Sequence, residues 1–163
     1  LLASHSILWR IRCHGSLGLG KVLMQGDDLR IVDWGGDPSR SFGERRLKRS
    51  VFTDLARLAL SIDGVARDAV ARLGQQVTLN EEGAAKASEA AKTWRGTATA
   101  ALLAGYREAV QGELLVPEDD TEFHGYFGAF RLNETLEGLY TALERGQHER
   151  VEGLVADALE QLG

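Results

Sequence analysis

The sequence predicts a mainly helical α+β chain with a small β element near its beginning, and three observations lead there. Two prolines against nineteen glycines suit helices separated by flexible turns better than a strand-rich sandwich. Apolar residues recur at helical spacing through long Ala-, Leu- and Glu-rich stretches after residue 50. Before them, Val22 to Asp33 is two apolar runs around a turn at Gln25-Gly26-Asp27-Asp28, the pattern of a β-hairpin. With 163 residues, 44% hydrophobic and 26% charged, the chain is long enough to bury one substantial core.

In order along the chain, the alternation Trp9-Arg-Ile-Arg12 predicts a short strand running into the glycine-rich segment His14–Val22, and the hairpin follows. Trp34 to Ser50 has no apolar period and is rich in Gly and Arg, so it reads as a loop. Ser50 is a candidate cap for a helix carrying Val51, Leu55, Leu58, Ile62, Val65 and Val70 and ending near Gly74. Asn80, followed by Glu81 and Glu82, opens a second helix through Trp94, Leu102 and Tyr106 to Gly112. Pro117 and an acidic first turn introduce a third, through Phe123, Phe127, Phe130, Leu136 and Tyr140 to Gly146. A short fourth, Glu149 to Leu162, places Val151, Leu154, Val155, Ala158 and Leu162 on one face. Trp94, Tyr106, Phe123, Phe127, Phe130 and Tyr140 recur at helical intervals and are most simply core residues.

Charge is unevenly spread. Residues 1–50 hold nine Lys/Arg against five Asp/Glu, and residues 51–163 hold ten against nineteen, for a net charge of −5. The basic first third suits phosphate groups, whereas the acidic remainder argues against a broad nucleic-acid surface. The single cysteine, Cys13, excludes an internal disulfide framework and fits a reducing compartment, so the cytoplasm is the expected location. No apolar run approaches the roughly 20 residues of a membrane helix, and LLASHSILW lacks the positive flank of a signal peptide.

The segment HGSLGLGKV matches the G-x-x-x-x-G-K spacing of a phosphate-binding loop through Gly15, Gly20 and Lys21. Two requirements fail. Such a loop opens a helix, where this one enters a hairpin, and it carries Ser or Thr after the lysine, where this one has Val22. A thiol nucleophile at Cys13-His14 is disfavoured because neighbours on an extended chain point to opposite faces. His5, His124 and His148 have no metal-ligand spacing.

A loop beginning His-Gly, a hairpin ending in Asp and then a helical bundle resembles the C-terminal lobe of the aminoglycoside-phosphotransferase-like kinases. Within that group the chain is most similar to maltokinases and the related amino-sugar kinases, whose segments resemble HGDxHLGQVL, DFEGEP and ERRxKRSxxRDVAxxLRSxD. This chain reads HGSLGLGKVL, VDWGGDP and ERRLKRSVFTDLARLALSID. WRGTATAALLAGYREA and FRLNETLEGLYTAL resemble the later helices, so the likeness covers nearly the whole chain. The resemblance implies a single kinase-like C-lobe over residues 1–163: a degenerate catalytic loop, hairpin and basic loop in 1–50, then a bundle of about four helices in 51–163. It also implies a preceding β-rich lobe that grips the ATP phosphates. Residues 1–12 cannot supply that lobe, so the chain is expected to be either a fragment of a longer protein or a relative that has lost it.

Departures concentrate in the chemistry. The family Asp that orients the sugar hydroxyl is Ser16, which at neutral pH neither takes up a proton nor holds a negative charge. The second loop histidine is Gly18, and the Gln or Asn that helps hold a metal is Lys21, which has no lone pair to offer magnesium. Asp33 remains as a metal and nucleotide position; the second acid is Gly35, with Asp37 nearby. His14 and Gly15 remain, and Asp54 matches the family's helix Asp, which accepts hydrogen bonds from the loop backbone. Two arrangements are open for Lys21: pairing with Asp33 in place of a metal, or projection into water. Arg45, Arg46, Lys48 and Arg49 suit either an anionic ligand or, more simply, ties between the loop and nearby carboxylates.

Two functions are expected from this. One is the C-lobe of an ATP- and Mg-dependent sugar phosphotransferase, with maltose or an amino sugar as acceptor, impaired in this chain. The other is a non-catalytic, pseudokinase-type lobe that needs no cofactor and binds a sugar or a protein of trehalose, maltose or α-glucan metabolism.

Overall fold

The computed structural model of the chain describes residues 9–162. His5 and most of the N-terminal LLASHSILW lie outside them. A 3-10 turn, Leu19–Lys21, leads into strands β1 (Val22–Gln25) and β2 (Asp28–Ile31), followed by helices α1 (Phe42–Arg45), α2 (Phe52–Gln76), α3 (Glu81–Ala109), α4 (Asp120–Glu144) and α5 (His148–Leu162). The strands pair antiparallel, with Val22 opposite Ile31 and Gln25 opposite Asp28. The two-residue connection needs a left-handed residue, supplied by Gly26 at φ +64°.

Several local expectations change. Trp9–Arg12 forms no strand: Ile11 makes one isolated antiparallel bridge with Arg49, and the Trp9 amide donates to Leu114 O at 2.6 Å. The expected loop 34–50 contains α1, a single turn stabilised by a capping box in which the Ser41 and Glu44 side chains each accept from the other's backbone amide. Ser50 is not the cap of α2. Val51 holds that position in helical geometry, and the Ser50 hydroxyl accepts only a long 3.4 Å bond from the Phe52 amide. Asn80 caps α3 through the Gly83 amide at 2.9 Å, and Asp119, beyond Pro117, caps α4 through the Glu122 amide at 2.7 Å.

Helix α2 is central. It packs against α3 and α4, and α5 packs on α4. The core forms where α2 begins: Val51, Phe52, Leu55 and Ala59 meet Leu103 of α3, Val116 and, on α4, Phe123 and Phe127. The Phe52 ring lies 5.3 Å from that of Phe123, 5.7 Å from Tyr126 and 5.8 Å from Phe130. Tyr106 and Phe130 are partly buried against this cluster, but Trp94 and Tyr140 are exposed. Val65, Val155 and Leu162 are exposed too. Periodicity identifies an apolar stripe without saying how fully a neighbouring helix covers it, and the first half of α3 has no buried residue.

Charged groups are buried where α2, α4 and α5 meet. Asp63 accepts from Arg131 at 2.8 Å and lies 3.7 Å from Arg95, while Asp157 of α5 pairs with Arg67 of α2. Burial, reinforced by Asp157, raises the Asp63 carboxyl above its usual range despite Arg131. Such pairs favour one docking register, since any other leaves a charge unpaired.

Phe52→Ala removes a fully buried ring from the centre of four aromatics. The expected loss is about 3–5 kcal/mol, read as a shifted urea midpoint, whereas Trp94→Ala at an exposed site should fall within about 0.5 kcal/mol of the parent.

Candidate functional site

The loop His14–Lys21 is built on a carboxylate of α2. Asp54 accepts the His14 amide at Oδ2 (2.6 Å) and the Gly15 amide at Oδ1 (2.8 Å), so two consecutive N–H groups point into the helix. The His14 ring is 1% exposed and lies 5.2 Å from Trp34. Its Nδ1 accepts from the Ser16 amide at 3.3 Å, which makes Nε2 the protonated nitrogen, donating to Val32 O at 2.9 Å. Both ring nitrogens are therefore engaged by backbone, and the ring joins the loop to the end of the hairpin. Further on, the Leu19 amide donates to Ser61 Oγ at 2.9 Å, and Gly18 packs so close to Ser61 that an added Cβ would lie 3.3 Å from its oxygen.

Ser16, Lys21 and Asp33 converge. The Ser16 hydroxyl donates to Gly36 O at 3.3 Å and accepts from Lys21 Nζ at 3.3 Å. The same ammonium is bonded to Asp33 Oδ2. Asp33 adopts φ +63°, a left-handed backbone uncommon for a residue with a side chain, directly after the hairpin. Its hydrogen bond with Lys21 holds the carboxyl below the usual range. Of the two arrangements open from sequence, pairing is the one adopted.

The resemblance implies a divalent cation at Asp33, and the residues present do not fit one. Lys21 already occupies the carboxylate, and position 35 offers no side chain. Asp37 points elsewhere, with Oδ1 accepting from the Ser39 hydroxyl at 2.6 Å and Oδ2 from Arg57 at 3.2 Å. Among the described residues no three His, Cys, Asp or Glu side chains gather where they could hold a metal.

Among the described residues the basic segment makes its ties to backbone and to an aromatic ring. Arg45 donates to Gly35 O at 3.2 Å and packs over Gly36, whose φ of +80° and crowding by the Arg45 stem exclude a side chain. Arg46 lies over the Phe42 ring at 5.6 Å, Arg49 reaches Glu44 O at 3.5 Å, and Lys48 is exposed. Arg45 and Arg49 thus hold backbone carbonyls. Their spacing gave no sign of this, because it depends on how the loop folds back.

A second cluster was not anticipated. Arg57 of α2 donates to Glu134 at 2.7 Å and to Asp37 at 3.2 Å, and Arg40 donates to Glu137 at 2.6 Å. These groups line an open groove of about 1270 Å³ beside Ser16, with Ser61, Asp68, Asn133 and Tyr140. Burial pushes Glu134 up, more than Arg57 pulls it down. Burial also raises Asp37, but the Ser39 hydroxyl and amide, with Arg57, outweigh it and hold that carboxyl low. The only sequence sign was that Glu134 and Glu137 share one helix face at i,i+3.

No family model matches the chain. Among solved structures it is similar to a glucosamine kinase (crystal form B), with 19% identity, a TM-score of 0.68, and 91% of this chain and 32% of that chain covered. It is also similar to a glucosamine kinase in complex with glucosamine, ADP and inorganic phosphate, with 19% identity, a TM-score of 0.62, and coverage of 91% and 34%. The fold is sugar-kinase-like, and the chain spans about a third of the length of these two proteins. No helix among the described residues is long and apolar enough to cross a membrane.

Two outcomes follow from this geometry. Asp54→Asn keeps at most one good acceptor for the two amides, so faster hydrogen exchange at His14 and Gly15 and a loss of about 2 kcal/mol in urea unfolding are expected. Cys13 Sγ donates to Ser50 O at 3.3 Å, and burial, followed by Asp54, raises the thiol to about 12. Its stabilising contribution is complete below the unfolded pKa of 9.0 and is lost as pH rises through about 12. At pH 8 an aromatic disulfide reagent should therefore label native Cys13 about a thousandfold more slowly than the urea-unfolded chain.

Proposed function

We propose that this chain is the acceptor-binding lobe of a sugar-kinase-like phosphotransferase, with a loop that, in its present form, holds a sugar without supporting efficient transfer to it. One observation carries the reading: at the position of the expected base, Ser16 directs its proton to Gly36 O and receives another from Lys21. No lone pair of adequate basicity is left to take the proton of an attacking hydroxyl, so general-base catalysis, worth about 10²–10⁴ in rate, is missing.

The groove supports the choice of ligand class. Carboxylates, guanidinium groups, an amide, hydroxyls and a tyrosine on one open face are the donors and acceptors a polyhydroxylated ring requires. Half-exposed Glu137 accepts from Arg40 at 2.6 Å and from Asn133 at 3.2 Å and keeps further lone pairs for an ammonium, and the glucosamine-bound kinase of similar fold supports an amino sugar. His14 and Asp54 hold the loop's shape, while Lys21 and Asp33 would face the phosphates of ATP. That nucleotide would need a further lobe to bind well, because this one presents neither a glycine-rich phosphate loop nor a free metal carboxylate.

The second reading, a non-catalytic interaction subunit, is favoured by the hairpin. Leu23, Met24, Leu29 and Ile31 are exposed on a two-stranded element too small to stand alone, and Trp34, just beyond it, is exposed too.

The test pairs an assay with a titration. With ATP, magnesium and a panel of maltose, glucosamine and aminoglycosides, no phosphorylated sugar is expected. Calorimetric titration with glucosamine should show binding that weakens about tenfold or more in Glu137→Ala with unchanged circular dichroism, the effect of losing one charged hydrogen bond. Clear turnover would overturn the impaired-transfer reading, and absence of binding by every sugar would favour the interaction subunit.

A further inference from the structure

We infer that the Lys21 ammonium is the resident cation of the Asp33 site, so that this site is closed to divalent metal ions. The inference rests on reading His14–Asp33 as a kinase-type loop and hairpin, and not on which ligand fills the groove.

Backbone geometry places the two residues together. The Lys21 amide donates to Gly18 O at 2.9 Å, and Lys21 O accepts from the Val32 amide at 3.0 Å. With Val22 paired to Ile31, Lys21 and Asp33 lie across the base of the hairpin at a separation set by strand register. The left-handed turn at Asp33 (φ +63°) brings its carboxylate back toward the ammonium. Ser16 Oγ, 3.3 Å from Nζ, supplies a second oxygen, so Lys21 takes two oxygens of the kind a divalent ion would use.

Electrostatics works against a second cation at Asp33. A divalent ion approaching Asp33 meets a fixed positive charge within one side-chain length, and the carboxylate it needs is already neutralised. No nearby acid restores the balance, since Asp37 is committed to Arg57 and Ser39. The backbone around the site is still compatible with an ion. A Cβ on Gly35 would sit 3.6 Å from Asp33 Oδ1, an ordinary contact, and φ at Gly35 is not positive. A second carboxylate could therefore be accommodated beside the first, so Lys21 and the missing acid at position 35 are the two obstacles, and Lys21 is the one that occupies Asp33.

The test is titration of the ¹⁵N-labelled chain with MnCl₂, following paramagnetic broadening of the amides of Asp33, Trp34 and Gly35. In the parent these signals should broaden no more than those of exposed acids such as Asp27 and Glu81. Lys21→Gln should broaden them selectively, at Mn²⁺ about tenfold lower or less, and Lys21→Gln with Gly35→Asp lower still. Lys21→Arg, which keeps a cation, should behave as the parent. Selective broadening in the parent equal to that in Lys21→Gln, or no gain in Lys21→Gln, overturns the inference. If Lys21→Gln loses native dispersion, the parent and Asp33→Asn decide: identical Mn²⁺ profiles support the resident ammonium, and selective broadening lost in Asp33→Asn overturns it. Glucosamine titrated into the same samples reports on the groove separately, so a failed sugar reading leaves this result legible.

Discussion

The start of the loop is anchored to the bundle by one carboxylate. Asp54 sits in the first turn of α2, and each of its oxygens accepts a backbone amide, one from His14 and one from Gly15. A loop has no ladder to satisfy its N–H groups, so a charged acceptor supplied by a helix gives it one conformation. The contact fixes His14, and the His14 ring in turn ties the loop to the hairpin. It brings the His14 ring under Trp34, sends Nε2 to Val32 O and thereby sets the end of the hairpin against the start of the loop.

On this frame three side chains determine the local chemistry. Ser16 is a hydroxyl already donating, Lys21 is a fixed ammonium, and Asp33 is a carboxylate bound to it. The trio carries no net charge of the kind that attracts a metal, and it contains no free base. Architecture and local chemistry are thus separable here: the hydrogen bonds that shape the loop run through backbone amides and Asp54, and they leave the side chains of Ser16, Lys21 and Asp33 to bond among themselves.

The groove next to this trio is organised by arginines that each serve two purposes. Arg57 joins Asp37 of the loop segment to Glu134 of α4, and Arg40 joins the same segment to Glu137. These ties hold the wall of the groove while presenting its polar lining. Deeper between the helices, Arg131–Asp63 and Arg67–Asp157 fix the seating of α4 and α5. Because few alternative packings pair every one of these charges, they specify arrangement more than they add stability.

Much of this was legible in the sequence. The hairpin, with its Gly26 turn, and the helix beginning at Asn80 follow from local chemistry, since each is stabilised within a few residues. The order of loop, hairpin and helices was legible too, because each element is marked by its own turn, cap or apolar period. Other features were settled only in three dimensions. Trp94 and Tyr140 have helical spacing but no covering partner, and Asp63, Glu134 and Asp157 are charged yet buried, because arginines distant in sequence reach them. Even the direction of Lys21, toward Asp33 rather than water, required the hairpin register and the left-handed turn after it. Local propensity acts over a few residues, whereas burial and ion pairing depend on which surfaces the packed helices bring together, and that was decided by the tertiary structure alone.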